Sequence, residues 1–498
     1  MDRKRNKFLW KSSFLAFIFS ANLFLVAEID QSIFKHKNTF EEIALEIWDL
    51  AEVGYQEYES SRILKEELAK NGFNITENVA DIPTAFIAEY GSKGPVIGIL
   101  GEFDALPGLS QMPFEAQPSP VTKNGNGHGC GHNLLGAASL LAASAVKDWI
   151  SLKKINGQIR YYGCPAEEGG AAKTYMAREG VFKDVDIAIS WHPATFNAVN
   201  RPISLANTRI DFMFSGKAAH AAAAPHLGRS ALDAVELMNV GANYLREHMP
   251  STARVHYSYL NSGGNSVNVI PDKAAVRYLI RASNLEQLWN LIERIEKIAE
   301  GASLMTETSF NKKIFSGVSN LLGNRVLEKV MQEQFEKLGP VIFDMEDHSF
   351  ANKIRETLTS DEIASSFDRV GIETPKNMTF CDFVAPLDGN STYGVGSTDV
   401  GDVSWNVPTV QARVATCAVG TPFHTWQLVA QGKTKAAHKG MVHAAKIMAL
   451  TAIELFKNPA LINSAKQEHL EKILETPYRC PIPPDINPPI ILQSHSDE

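Results

Sequence analysis

Past residue 38, apolar and polar positions recur with the two periods that separate helix from strand. FEEIALEIWDLAEV (40–53) and SSRILKEELAKNG (60–72) repeat apolar residues three and four apart and predict amphipathic helices. Three short apolar runs follow, each ending in side chains that carry chemistry. Val96 to Leu100 leads into GEFDALPG, Ile159 to Tyr162 into CPAEEGG, and Ile187 to Ser190 into WHP. NLLGAASLLAASAVKDW (133–149) predicts a helix between the first two runs. Strands alternating with helices predict an α/β fold with a mixed, mostly parallel sheet flanked by helices. In such sheets ligands gather beyond the carboxyl ends of the strands. Asp104, Glu167, Glu168 and His192 all fall there.

The texture changes at 206. ANTRIDFMFSGK reads as a strand, and RSALDAVELMNVGANYLREHM as a helix with Ser230 as N-cap. ARVHYSYLNSGG and AAVRYLIRAS predict two more strands, LEQLWNLIERIEKIAEGAS a helix, and ETSFNKKIF a last strand. The order βαββαβ is a ferredoxin-like unit of about 115 residues. It predicts a separate domain over 206–320, inserted into a first domain made of 31–205 and 321–476. Residues 324–339 read as helix, 340–390 as an irregular insertion with loops, and 407–426 as a strand ending near His424. A helix over 438–458 follows, and the Pro-rich tail, 477–498, reads as extended or mobile.

Composition narrows the function. The chain has 498 residues, 44% hydrophobic and 21% charged, as in a soluble globular protein of two or three domains. A formal net charge of −8 argues against a nucleic-acid partner, which needs a basic surface. Five cysteines in so long a chain form no disulfide framework, and the odd count leaves one thiol free. The start stands apart: DRKRNK is basic, and FLWKSSFLAFIFSANLFLVA runs apolar to Ala27. That pattern predicts an export signal over residues 1–30, a periplasmic or secreted protein, and no membrane span beyond it. The reading sets residues 1–30 outside the fold.

The chemistry concentrates in NGNGHGCGHN (124–133), where His128, Cys130 and His132 alternate with glycine. Imidazole and thiolate are good ligands for zinc and other transition metals, although the segment alone reads equally well as a Gly-rich turn. Glu167 and Glu168 can divide labour, one on a metal and one as a base, or form a solvated acidic turn. His192 and His424 taken singly read as structural or surface histidines. Together, Cys130, His132, Glu168, His192 and His424 stand on four separate strand-end loops. That set suits two ions sharing one bridging ligand, with room left for water and substrate.

These residues carry a resemblance. HGCGHN, PAEEGG, SGKAAHAAAAPHLGRSALDA and NVIPD occur in the order seen in the metal-dependent aminoacylase and carboxypeptidase family, over roughly 40–460. The chain resembles its amidohydrolases of N-acyl amino acids, and GHGCGHNLLG resembles the aminobenzoyl-glutamate hydrolase B-subunit type. The resemblance implies a catalytic α/β domain with two divalent ions, manganese or zinc, and an inserted lid that often dimerises. Carried over by motif, Cys130 bridges the ions and His132, Glu168, His192 and His424 complete the set. Glu167 is then the general base and Asp104 orients a ligand histidine. His220 of the lid steadies the oxyanion, in its own or a neighbouring subunit's site. Asn268 and Arg281 hold the substrate carboxylate, and the spacing of NVIPDKAAVRYLIR puts both on adjoining ends of one hairpin. Glu102, Asn133 and Leu135 depart from the subgroup's usual residues, which bears on substrate preference. His128 matches a position that is not a ligand. The partners implied are an N-acyl, aroyl-type amino acid such as aminobenzoyl-glutamate and a second copy of the chain, or a related A subunit. The alternative is a non-catalytic or partner-dependent subunit that keeps the fold. A purely structural zinc site would lack a base beside its ligands, as Glu167 stands beside Glu168.

Overall fold

The computed structural model describes residues 3–389 and 396–490, with side chains from residue 26 onward. The larger sheet is built from β1 (Asn74–Glu77), β2 (Phe86–Ser92), β3 (Val96–Glu102), β4 (Gly157–Cys164), β5 (Ile187–Ala194), β6 (Ala198–Val199) and β11 (Thr409–Ala415). Its order is β1-β2-β4-β3-β5-β11-β6. The four central strands, β4, β3, β5 and β11, run parallel; β2 and β6 run antiparallel to them, and β1 pairs antiparallel with β2. Their carboxyl ends therefore share one edge, as expected.

Each central strand is buried on both faces, which explains its near-continuous apolar run. Ile97, Ile99, Ile159 and Tyr161 face a core shared with helices His132–Lys153 and Lys435–Lys457. Val96, Leu100 and Tyr162 face the opposite core, against helices Ala172–Arg178 and Val400–Asn406. Helix His132–Lys153 is apolar enough to cross a membrane, but 83% of that stretch is buried inside the protein.

The second sheet holds β7 (Ala206–Ser215), β8 (Arg254–Asn261), β9 (Lys273–Ala282) and β10 (Ser309–Val318) in the order β10-β7-β9-β8, all antiparallel. Alternate residues of β7 and β9 (Ile210, Phe212, Phe214, Val276, Tyr278, Ile280) face helices Ala231–Leu245 and Leu285–Thr306. This is the βαββαβ unit that the periodicity predicts. Ser230 caps its helix by accepting the Asp233 N–H at 3.1 Å, which contributes about 1 kcal/mol.

Three expectations need correction. The first helix runs unbroken from Arg3 to Leu50, and residues 26–30 belong to the fold. Ile29 and Ile33 are each 2% exposed in the main core, and Glu28 and Asp30 pair with Lys153 and Lys446. The part of the expected export segment before residue 26 lies outside the described side chains. Residues 340–390 are not simply loops: helices Met345–Arg355 and Ser360–Ala364 and a 3-10 turn, Ser365–Val370, form there. The tail is extended but docked as far as it is described. Ile482 is buried, the Arg178 guanidinium donates to the carbonyls of Pro483 and Ile486, and Tyr478 donates to Asp402 at 2.9 Å.

Candidate metal centre

The Gly-His-Gly-Cys-Gly-His segment is stripped of side chains because the backbone leaves no room for them. Gly127 forms a two-way bridge with Leu106 at 3.0 Å, and a Cβ there would stand 2.2 Å from the Leu109 carbonyl oxygen. Gly131 turns at φ +76°, in the left-handed region, immediately before helix His132–Lys153. This places Cys130 in the turn and His132 at the first helical position, both buried. The apolar helix behind then fixes the segment rigidly to the core. His128 is buried in a different role, donating from Nε2 to the Ile47 carbonyl at 2.9 Å. Burial holds its pKa down at about 4, so it stays neutral.

The strand ends deliver the other groups. β3 ends at Glu102, and Asp104 follows. Asp104 accepts from His132 Nδ1 at 2.9 Å and from the Glu168 backbone N–H at 2.8 Å. Beyond β4, Ala166 takes a left-handed φ of +54° without being glycine, and its N–H donates to the buried Glu57 at 2.7 Å. That bond helps hold the strained turn that aims Glu167 and Glu168 inward. β5 runs past its expected end at Ser190 to Ala194, so His192 sits within the strand. Its Nδ1 donates to the Pro193 carbonyl at 2.8 Å, leaving Nε2 to face the Cys130 sulfur at 3.3 Å. β11 stops at Ala415, not near His424. His424 lies in the loop beyond, at φ +61°, tied to the glycine segment by its N–H donating to the Gly129 carbonyl at 2.7 Å.

Seven of the ten sequence-assigned residues therefore meet. Three overlapping groups each hold their ligand atoms within 4.8 Å of one another: Cys130, His132, His192; Cys130, Glu168, His424; and Glu102, His132, Glu167. Cys130 and His132 are each shared by two of them. His132 Nε2 lies 3.3 Å from Glu102 Oε2, and His424 Nε2 lies 3.2 Å from Glu168 Oε1. Ligands held about 2.1 Å from one tetrahedral ion stand about 3.4 Å apart, so these separations fit. His132 Nε2, Glu168 Oε1 and Glu102 Oε2 are buried without hydrogen-bond partners, a costly state that a cation would relieve.

The electrostatics agree. Burial, with the charges of Glu102 and Glu168, raises the Glu167 carboxyl well above the usual carboxylate range. Burial, with Glu168, likewise raises the Cys130 thiol. Burial alone would lower the His132 pKa, but Cys130 and Asp104 outweigh it and raise it well above the ordinary value. Three carboxylates, Glu102, Glu167 and Glu168, thus lie around the Cys130 and His132 pair, the kind of donor set that divalent ions need. The groups open onto a cavity of about 480 Å³ whose wall includes Cys130, Glu167, Glu168, His192 and His424. The His424 side chain, 53% exposed, stands at its mouth.

Three assigned residues do not join them. His220 and Asn268 are exposed on the smaller domain, held together by a bridge between His220 and Val269 and by the Ala221 N–H donating to the Asn268 carbonyl at 2.9 Å. Neither lines the cavity. Asn268 and Arg281 are not on adjoining ends of a hairpin: Asn268 lies in the loop between β8 and β9, and Arg281 is eight residues into β9 from Lys273. At strand rise that is about 26 Å. Arg281 does reach the cavity rim, where Nη1 stands 3.4 Å from the Ser397 hydroxyl.

Sequence reading marks Glu102 only as a departure from the subgroup and assigns no role to Lys173 or Asp399. Glu102 faces the ligand set, and its other oxygen takes the fully buried Lys173 ammonium at 2.9 Å, which Asp399 also binds at 2.6 Å. Burial would lower the Lys173 pKa, yet the two carboxylates raise it well above normal. The only sequence signal was a lysine in a run of small residues beside PAEEGG. Because Asp104 grips both His132 and the Glu168 backbone, Asp104→Asn is expected to weaken metal affinity about 10–100-fold. A competition titration against a chelator of known affinity checks this, and unchanged affinity would remove Asp104 from the centre.

A four-loop ligand set with an adjoining carboxylate, on a parallel sheet with an inserted ferredoxin-like domain, defines a metallo-hydrolase that acts on amide bonds. Comparison with known proteins agrees. Residues 204–304 match the peptidase dimerisation domain of the M20 family. The chain is 46% identical over 470 residues to the B subunit of p-aminobenzoyl-glutamate hydrolase from Escherichia coli, covering 92% of this chain and 98% of that protein. It is 28% identical to a mouse Xaa-Arg dipeptidase, covering 86% and 88%. Its fold matches a dinuclear metal-binding M20 peptidase of Bacillus subtilis, with a TM-score of 0.53, 18% identity, and 84% and 99% coverage. The chain belongs to the M20 family of amidohydrolases and peptidases.

Proposed function

We propose that this protein hydrolyses the amide bond of N-aroyl amino acids, with aminobenzoyl-glutamate as the model substrate. One observation carries the reading: four ligand candidates and a second carboxylate, Glu167, line one open cavity, with the fifth, His132, buried within 4.8 Å of Cys130, His192 and Glu167. The name of the Escherichia coli relative supports the choice of substrate.

Cys130, His132, Glu168, His192 and His424 would hold two divalent ions, which supply Lewis acidity toward the amide carbonyl and acidify a water. Thiolate and imidazole ligands suit zinc, and manganese is the second ion to test. Glu167 takes the proton of that water and passes it to the leaving nitrogen. Burial and the neighbouring carboxylates raise its pKa above the usual carboxylate range, which favours a group that holds the proton before returning it. Asp104 and the Pro193 carbonyl fix the His132 and His192 rings with Nε2 toward the site. Arg281, at the rim, takes a substrate carboxylate through its planar fork.

His220 acts in the site of a second copy. Its Nδ1 accepts the N–H groups of Ala222 and Ala223 at 3.2 Å, so the ring proton sits on Nε2, ready to donate to an oxyanion. His220 and Asn268 are exposed beside Val267, which is 98% exposed, and Val269, 47% exposed. An apolar, exposed edge carrying polar groups with nothing to act on in their own chain suits docking against a neighbour. The neighbour is a second copy, with a related A subunit as the alternative. We also propose that the basic and apolar start directs export.

The test is a substrate panel. Protein stripped by chelation and reloaded with manganese or zinc is expected to hydrolyse p-aminobenzoyl-glutamate, and the stripped protein is expected to be inactive. Loaded protein that cleaves neither this compound nor hippurate when alone would instead favour the partner-dependent subunit.

A further inference from the structure

Two arginines face the cavity without a role in the chemistry above. Arg413 lies on β11, directly opposite His192 on β5. Arg369 comes from the 3-10 turn Ser365–Val370 in the segment 340–390. Both line the cavity with Glu167, Glu168, His192 and His424.

The turn carrying Arg369 is firmly placed. Phe367 is fully buried beside Ala194, Phe196 and Val419. The Ser366 hydroxyl donates to Thr195 Oγ1 at 2.9 Å and accepts the Gly420 N–H at 3.0 Å. A segment inserted into the domain thus delivers a guanidinium to one wall of the site.

Neither arginine has a carboxylate partner among the described residues. The one hydrogen bond formed by the Arg413 side chain among them runs from Nε to Asn200 Oδ1 at 3.3 Å. Glu362 also lines the cavity, but its carboxylate is occupied by the Thr359 N–H and hydroxyl at its own helix start. Burial, and then the charge of Arg369, push the Arg413 pKa well below its normal value, and burial lowers that of Arg369. The negative groups whose charge reaches Arg413 are Cys130, Glu102 and Glu167. Two of these are the proposed bridging ligand and the proposed base. Once cations neutralise the ligand set, the arginines lose most of that compensation. Two close, unpaired guanidinium groups in a deep cavity are expensive, and an anion entering with the substrate satisfies both.

Aminobenzoyl-glutamate has two carboxylates and an aroyl part with no negative charge. Arg281 at the rim accounts for one carboxylate. We propose that Arg369 and Arg413 form a second anion subsite, which takes the side-chain carboxylate of an N-acyl-glutamate. This rests on the amidohydrolase reading and names the part of the substrate that the cavity selects. The insertion then supplies specificity: without Arg369 the cavity would accept neutral amino acids far more readily.

The test compares N-(4-aminobenzoyl)-glutamate with its glutamine analogue, which has nearly the same shape and no side-chain charge. The metal-loaded protein is expected to prefer the glutamate compound by at least about 100-fold in kcat/KM, because a site built for a charged group rejects the analogue that lacks it. Arg369→Gln and Arg413→Gln are each expected to bring that ratio below about tenfold, mainly through KM. Arg369→Lys is expected to fall between, since a point charge replaces a fork. Metal content and melting temperature of each variant identify any that misfold. The same pair of compounds is titrated calorimetrically into metal-loaded Glu167→Gln protein and its Arg369→Gln derivative. If the parent hydrolyses neither compound, the amidohydrolase reading fails, and the calorimetric ratio alone decides the subsite. A preference that survives in folded arginine variants, or an equal loss for both compounds, would overturn the proposal.

Discussion

Replacing Glu167 with Gln is expected to lower kcat on aminobenzoyl-glutamate by about 10³-fold or more, near the upper range for a lost general base. Metal content is expected to stay at the parent level. Gln keeps the shape of Glu167 but can neither take a proton from water nor return one to the leaving nitrogen. The carboxylate of Glu168, next along the chain, cannot substitute, because it faces His424 at 3.2 Å in the ligand set. Steady-state kinetics and elemental analysis on one preparation check the outcome. A variant that turns over at the parent rate would remove Glu167 from the reaction, and one that loses its metal would make it a ligand.

The second large effect is a recovery. His220→Ala protein is expected to be nearly inactive as purified, and Glu167→Gln protein is expected to be nearly inactive for its own reason. If each site takes His220 from the neighbouring copy, mixing the two after dissociation and reassociation restores activity. In a mixed dimer one site receives both lesions and the other receives neither. Random reassortment of a two-fold dimer then gives about a quarter of the parent activity. Mixing that restores nothing would place His220 in its own chain's site or outside the reaction. The exposed setting of His220 and Asn268, off the cavity wall, is the reason to expect recovery.

The convergence of the site's side chains was legible because the residues sit at a recurring position. An apolar run, then a turn, then a ligand is a pattern that survives without coordinates, and Asp104, Glu167, Glu168 and His192 all follow it. The βαββαβ domain was legible for a similar reason: β7 and β9 alternate fully buried residues with half-buried or exposed ones. What was missed depends on distance along the chain. Lys173 and Asp399 are 226 residues apart, and neither belongs to a motif. The extent of β5 past Ser190 was hidden because His192 and Pro193 look like strand terminators until β11 pairs with both. Asn268 and Arg281 were misplaced because a spacing of 13 residues gives no direction: it spans both a loop and most of a strand. The segment 340–390 has short helices held by caps such as Asp344 and Thr359, too brief to show a period. The residues it brings to the cavity could not be read at all. The first helix was divided at the boundary of the apolar start, although Ile29 and Ile33 continue its buried face into the core.

The most direct measurement is anomalous diffraction from crystals of the metal-loaded protein. The expected map has two peaks about 3.5–4 Å apart, with the Cys130 sulfur between them and Glu168, His132, His192 and His424 around them. A single peak away from Cys130, or none near the turn that carries it, would contradict a binuclear centre built from four separate loops.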